Sequence, residues 1–168
     1  MGHGQRYDVK CKFGIYPILF SVMIVITCIG VLILQRGTNV FSETDAQNFR
    51  LSLNNIVNKS QTLTKMYQEE IGKWTRNEIN NATLISKTDL YIPKFDQLTS
   101  NARNMSYPVD QQSIHDALVN SLKSETDSYK HFRNYLATGN KTEDAISTDL
   151  LTKALQNELI YSEFLSKG

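Results

Sequence analysis

The sequence predicts an all-α protein, with a single N-terminal transmembrane helix followed by an antiparallel bundle of about four helices outside the cytoplasm. Residues 15–34 are one uncharged apolar run, and beyond them apolar residues recur at steps of three and four, as in amphipathic helices. No strand-like alternation of useful length appears. The chain has 168 residues, of which 40% are hydrophobic, and a mean hydropathy of −0.34. This composition excludes a polytopic membrane protein and an enzyme with a large core.

The apolar run has the length of a membrane anchor. Sixteen of its twenty residues are apolar, and at about 1.5 Å per residue a helix over 15–34 crosses the hydrocarbon core of a bilayer. Three basic residues and one acidic residue precede it. The positive-inside rule therefore predicts a single-pass protein of the cell membrane, with residues 1–14 as a cytoplasmic tail and the C-terminal domain outside.

Three other leader types fit the N-terminal sequence less well. A cleaved signal peptide would have a shorter apolar region and a small-x-small site, and none follows Leu34. Lipoprotein cleavage before Cys28 would leave a mature protein that starts with an apolar run. The Lys10–Gly14 segment resembles a type IV prepilin leader, but Leu19 stands where an acid is expected. We therefore expect the anchor to be retained.

The exported part is predicted to consist of a linker over 35–41 and a helical domain over 42–168. Its first helix is predicted over about 42–85, roughly three times as long as the second helix. Because so long a helix leaves apolar surface uncovered, we expect self-association through a coiled-coil seam. The predicted seam residues are Phe49, Leu53, Ile56, Leu63, Tyr67 and Trp74.

Three further helices are predicted after the long one. The second covers about 92–105, with Pro93 in its first turn, where a proline costs no hydrogen bond. The third covers about 109–137 and ends at Gly139 in a left-handed C-cap. The fourth opens at Thr142, and its apolar stripe runs from Ile146 through Leu159 to Leu165. The short loop between the last two helices predicts an antiparallel hairpin.

Four N-x-S/T sequons fall in the exported part, and composition alone predicts about two. We expect some of them to carry glycans in an archaeal or eukaryotic host, whereas in a bacterium they reflect composition. The candidate glycosylation sites are Asn58, Asn81, Asn104 and Asn140.

The sequence offers no pattern typical of catalysis, of a cofactor or of nucleic-acid binding. Residues 35–168 contain fifteen basic and sixteen acidic side chains that are interspersed, whereas nucleic-acid binding needs a basic surface. His115 and His131 lie about 160° apart around one helix and cannot share a metal ion. Trp74 and the aromatic residues between Tyr129 and Tyr135 are interpreted as packing residues. We therefore expect neither an enzyme nor a bound cofactor.

The predicted arrangement is similar in architecture to the sensing half of bacterial and archaeal receptors. It consists of a short cytoplasmic tail, one membrane helix and an external helical bundle. The sequence contains neither a second membrane helix nor a cytoplasmic output domain, so we expect no signalling by that route. The expected function is that of a membrane-anchored interaction or structural protein, which binds a partner protein or itself at the cell surface. The alternative is a small-molecule-binding or sensory module that acts through a partner membrane protein.

Overall fold

The computed structural model describes residues 43–167, which form an all-helical bundle without strands. All of them belong to one compact unit. The helices are α1 (Glu43–Thr75), α2 (Asn81–Arg103), α3 (Gln112–Thr138) and α4 (Lys141–Ser166), and a 3-10 turn (Val109–Gln111) precedes α3. The prediction of an all-α bundle of about four helices is confirmed for this part of the chain.

The predicted membrane anchor over 15–34, with its tail over 1–14 and its whole linker over 35–41, lies outside the described residues. Between residues 43 and 167, no helix is both long enough and apolar enough to span a membrane.

Consecutive helices run antiparallel, and α4 returns to lie beside α1. Three hydrogen bonds between helices support this arrangement. Two of them join the start of one helix to the end of another, and the third joins the middle of α3 to the middle of α4. They join the Asn81 amide to the Leu136 carbonyl oxygen at 3.2 Å, the Ser121 hydroxyl to the Ala154 carbonyl oxygen at 2.9 Å, and the Arg50 guanidinium to the Phe164 carbonyl oxygen at 2.6 Å.

Two apolar clusters fill the interior, one toward each end of the bundle. The first core cluster draws on all four helices and comprises Phe49, Leu53, Ile56, Val57, Ala102, Leu118, Leu122, Tyr161 and Leu165. The second core cluster is built by α1, α2 and α3 and comprises Tyr67, Ile71, Leu84, Phe95, Tyr129 and Leu136. Burial of these side chains supplies the main driving force for folding.

The prediction of one long helix over 42–85 is wrong, because α1 ends at Thr75. Asn77 adopts a left-handed conformation with φ 60°. The backbone N–H of Asn77 donates to the Trp74 carbonyl oxygen, and that of Glu78 donates to the Lys73 carbonyl oxygen, each at 2.9 Å. This pair of bonds is a Schellman motif, in which asparagine takes the position that glycine usually occupies.

The second helix starts eleven residues earlier than predicted. Asn80 caps it, since its side-chain oxygen accepts a hydrogen bond from the Thr83 backbone N–H at 2.9 Å. Pro93 therefore lies in the helix interior and not in the first turn. An interior proline costs about 3 kcal/mol. That cost is offset by burial of Leu84, Phe95 and other side chains on the inner face of α2.

The apolar stripe predicted for α4 is buried only in part, since its residue Leu165 lies in the first core cluster. Leu159 is 61% exposed, and the buried residues of α4 are Ser147, Ala154, Tyr161 and Leu165. Small residues on both helices allow α3 and α4 to approach closely, as the 2.8 Å bond from the Ser128 hydroxyl to the Ser147 carbonyl oxygen shows. The predicted hairpin and its C-cap at Gly139 (φ 70°) are confirmed.

Candidate binding groove

An open groove lies between α1 and α2, with a volume of about 620 Å³. Its apolar lining includes the buried Leu98, the half-buried Leu63, and the more exposed Met66 and Pro93. The polar lining consists of Asn55, Asn58, Lys59, Thr62, Lys94 and Gln97. The surface thus combines an apolar floor with polar sides, which is the arrangement of a binding interface.

Short side chains on α1 leave this space open. Asn55, Asn58 and Thr62 follow one another at steps of three and four along the helix, so they lie on one face. The Thr62 hydroxyl already donates to the Asn58 carbonyl oxygen at 2.8 Å, which satisfies it within α1. The groove is therefore a consequence of the sequence of α1 and of its pairing with α2.

The charged side chains that line the groove are all basic. Lys59 contributes an ammonium group from α1 and Lys94 contributes one from α2, and no carboxylate is among the lining residues. Within residues 43–167 neither lysine forms an ion pair, although the Lys94 ammonium lies 5.2 Å from the centre of the Tyr91 ring. An anionic group placed in the groove would be attracted from both helices.

The predicted self-association seam is folded into the chain's own bundle. Phe49, Leu53, Ile56 and Tyr67 are buried in the two core clusters. A second copy of the chain could reach these four only if the bundle opened.

The other two seam residues lie at its margins. Leu63 is half-buried and lines the groove. Trp74 is also half-buried, packs edge-on against the Phe132 ring at 5.8 Å, and donates from its indole nitrogen to the Asn81 side-chain oxygen at 2.7 Å.

The four candidate glycosylation sites lie in different settings. Asn58 lines the groove, so a glycan there would fill it. The Asn81 amide group is engaged, since it donates to the Leu136 carbonyl oxygen and accepts from Trp74. Asn104 is exposed at the C-cap of α2, and Asn140 is exposed at the N-cap of α4, where its side-chain oxygen accepts from the Thr142 N–H at 3.0 Å.

Two half-buried glutamates of the bundle, Glu125 and Glu158, have no basic partner among residues 43–167. Glu125 accepts on one oxygen from the Thr64 and Tyr129 hydroxyls, each at 2.7 Å. Burial raises the pKa of Glu125, and these hydrogen bonds oppose the rise. Burial, with a smaller contribution from repulsion by Glu125, raises the pKa of Glu158 to about 7. Neither carboxyl lines the groove, and both make the stability of the bundle depend on pH.

The two histidines of the bundle, His115 and His131, make different contacts. The Nε2 atom of His115 lies 2.9 Å from the Ala102 carbonyl oxygen, and its ring stacks on Tyr107 at 4.0 Å. The Nδ1 atom of His131 lies 2.8 Å from a Glu143 carboxylate oxygen. In the part of the chain that the structure describes, no cluster of histidine, cysteine and acidic residues could hold a metal ion.

Comparison of the chain with protein families, with curated proteins and with solved structures finds no match.

Sequence reasoning missed the groove for a specific reason. The groove brings residues 55–66 of α1 opposite residues 93–98 of α2, and this pairing depends on the turn at 76–80. A helix continued to residue 85 would have placed these segments far apart. The polar run around Asn77 and Asn80 is the signal that could have revealed the turn, because asparagine favours both left-handed caps and N-caps.

Proposed function

We propose that the protein is a membrane-anchored binding protein whose helical bundle captures a partner protein in the groove between α1 and α2. Residues 15–34 would hold the chain in the membrane, with the N-terminus in the cytoplasm and the bundle outside. The proposal assigns the chain no catalytic role and no cofactor. The observation that supports it is the apolar floor of the groove, formed by Leu63 and Leu98 and bordered by Met66, which is 45% exposed.

The architecture of the bundle favours a partner protein over a second copy paired through the seam. Four of the six seam residues are buried in the core, whereas the groove remains open in the folded chain. Methionine beside such a groove suits protein binding, because its unbranched side chain adapts to different partner shapes. Capture through the groove requires no opening of the bundle.

A small-molecule-binding module is the second candidate. A volume of 620 Å³ falls within the range of small-ligand sites, which is about 300–1,000 Å³. Such sites bury about 70–90% of the ligand surface, however, and this groove is open along one side. A small ligand would leave much of its surface in water, so the partner protein is favoured.

Site-specific photocrosslinking in native membranes tests the proposal. A photoreactive amino acid replaces Met66 in the groove, and in a matched variant it replaces Leu90, which is 64% exposed on α2 but does not line the groove. We expect a discrete protein adduct from position 66 and several-fold less from position 90. Equal yields at the two positions would contradict the proposal. Alkaline extraction of the same membranes tests the anchor, which should keep the full chain in the pellet.

A further inference from the structure

We infer that the occupant of the groove is an amphipathic helix of a partner protein, with acidic residues on both sides of its apolar stripe. This inference rests on the proposed function of the groove and adds the chemistry of the partner. It is carried by the two lysines on opposite sides of an apolar floor, Lys59 and Lys94.

The charge pattern of the groove differs from that of the neighbouring helix pair. Between α2 and α3, basic residues face acidic ones, as in the ion pairs from Lys130 to Asp96 at 3.1 Å and from Arg133 to Asp89 at 2.8 Å. Between α1 and α2, the groove has a lysine on each side and no acid in its lining. A ligand with two rows of carboxylates would supply the missing charge complementarity.

The dimensions of the groove fit a helix. Its lining on α1 runs from Asn55 to Met66, which are eleven residues apart and so span about 16 Å, or three helical turns. A docked helix buries one stripe at positions i, i+3 or i+4, and i+7, while its outer face stays in water. An open groove provides for this kind of binding, since only one face of the occupant has to be covered.

The polar lining fits the edges of such a helix. The side-chain amides of Asn55, Asn58 and Gln97 can donate to carboxylates and accept from other polar groups of the partner. A free fatty acid presents one carboxylate at the end of its chain, so it could engage one of the two lysines but not both. The pattern therefore favours a helix over an anionic amphiphile.

Zero-length crosslinking tests the inference on the full chain in native membranes. A water-soluble carbodiimide activates a carboxyl group, the lysine amine attacks it, an amide forms, and the carbodiimide leaves as a urea that carries the displaced oxygen. We expect isopeptide bonds from Lys59 or Lys94 to an Asp or Glu of the partner. The linked acid should lie in a segment with apolar residues at helical spacing.

Matched variants separate the effect of the positive charge on binding from the need for a lysine amine in the crosslinking reaction. Lys59→Arg with Lys94→Arg keeps the charges but removes the amines, so the photo-adduct from position 66 should persist and the isopeptides should disappear. Lys59→Glu with Lys94→Glu should reduce the photo-adduct about tenfold, with an unchanged melting temperature, since both lysines are exposed. As a control, Lys65→Glu with Lys153→Glu, at exposed positions outside the groove, should leave the photo-adduct unchanged.

The outcomes distinguish this inference from the proposed function. A photo-adduct from position 66 without isopeptides at either lysine would overturn the acidic helix and leave the proposed function standing. A carboxylate adduct of a small molecule, or of a second copy of this chain, would also overturn it. Absence of both the photo-adduct and the isopeptides would overturn the proposed function itself.

Discussion

The Tyr67 hydroxyl donates a hydrogen bond to the Thr88 hydroxyl at 2.8 Å across the α1–α2 interface. The direction follows because the single hydroxyl proton of Thr88 is given to the Leu84 carbonyl oxygen, also at 2.8 Å. Both side chains are fully buried, so this bond helps to fix the register of the two helices that form the groove.

The direction of that bond predicts unequal effects of two conservative substitutions. Tyr67→Phe removes the donor and should cost about 1 kcal/mol of unfolding free energy. Thr88→Val leaves a buried donor on Tyr67 without its acceptor and should cost about 1–3 kcal/mol. Urea denaturation of the full chain in mild detergent measures both. A larger loss for Tyr67→Phe than for Thr88→Val would mean that the assigned direction is wrong.

Substitution of two leucines on α1 tests whether the predicted seam packs in the core or pairs with a second copy of the chain. Leu53 is 0% exposed in the first core cluster, whereas Leu51 is 61% exposed on the same helix. Leu53→Ala should cost about 2–5 kcal/mol, and Leu51→Ala should change stability by less than about 0.5 kcal/mol. Thermal or urea unfolding reports the difference. If Leu53→Ala left stability intact but abolished crosslinking between copies of the chain, the seam would serve self-association.

The two half-buried glutamates predict a bundle that is more stable near pH 5 than near pH 8. The pKa of Glu158 is about 7 in the folded chain and that of Glu125 is also raised above its ordinary value. The folded state therefore binds protons more tightly than the unfolded state, and its extra stability is lost as the pH rises from about 4.5 through 7. For Glu158 this loss is on the order of 3 kcal/mol.

Substitution to glutamine tests that pH dependence. Glu158→Gln should flatten the fall in melting temperature between pH 5 and pH 8, because the neutral amide does not titrate. Glu163→Gln is the matched control on the same helix, since Glu163 is exposed and pairs with Lys167 at 2.6 Å. A slope that Glu158→Gln leaves as steep as in the unmodified chain would refute the assignment.

Asn81 is predicted to matter for stability more than the other sequon asparagines of the α1–α2 region. Its side chain bonds both Trp74 and the Leu136 carbonyl oxygen, so Asn81→Gln should cost about 1 kcal/mol through displaced hydrogen bonds. Asn104→Gln, at an exposed position, should fall within about 0.5 kcal/mol of the unmodified chain. Equal melting temperatures for the two variants would contradict the role of Asn81.

Periodicity predicted the features that large apolar residues control. Apolar residues at helical spacing along α3 include Leu118, Leu122, Tyr129 and Leu136, and all four are buried. The left-handed residue at Gly139 was also expected, because glycine after a helical stripe is a strong stop signal. The α3–α4 hairpin follows from these two observations.

Features controlled by small or polar residues were not predicted. The stop at Asn77 was missed because asparagine is a weaker signal than glycine, and the apolar steps of α1 continued almost to the turn. Ser147 was not predicted on the inner face of α4 because serine carries no hydrophobic signal, although close packing against Ser128 buries it. Such contacts depend on the partner helix, which a single segment does not show.

The central claim is that a partner occupies the α1–α2 groove in the membrane, and lysine acetylation measures that occupancy directly. The rates at Lys59 and Lys94 are compared between native membranes and the full chain purified in mild detergent, with the exposed Lys65 and Lys153 outside the groove as internal references. We predict that both groove lysines react several-fold more slowly in the native membrane, while the reference lysines react equally in the two samples. Identical relative rates at all four positions would contradict the account.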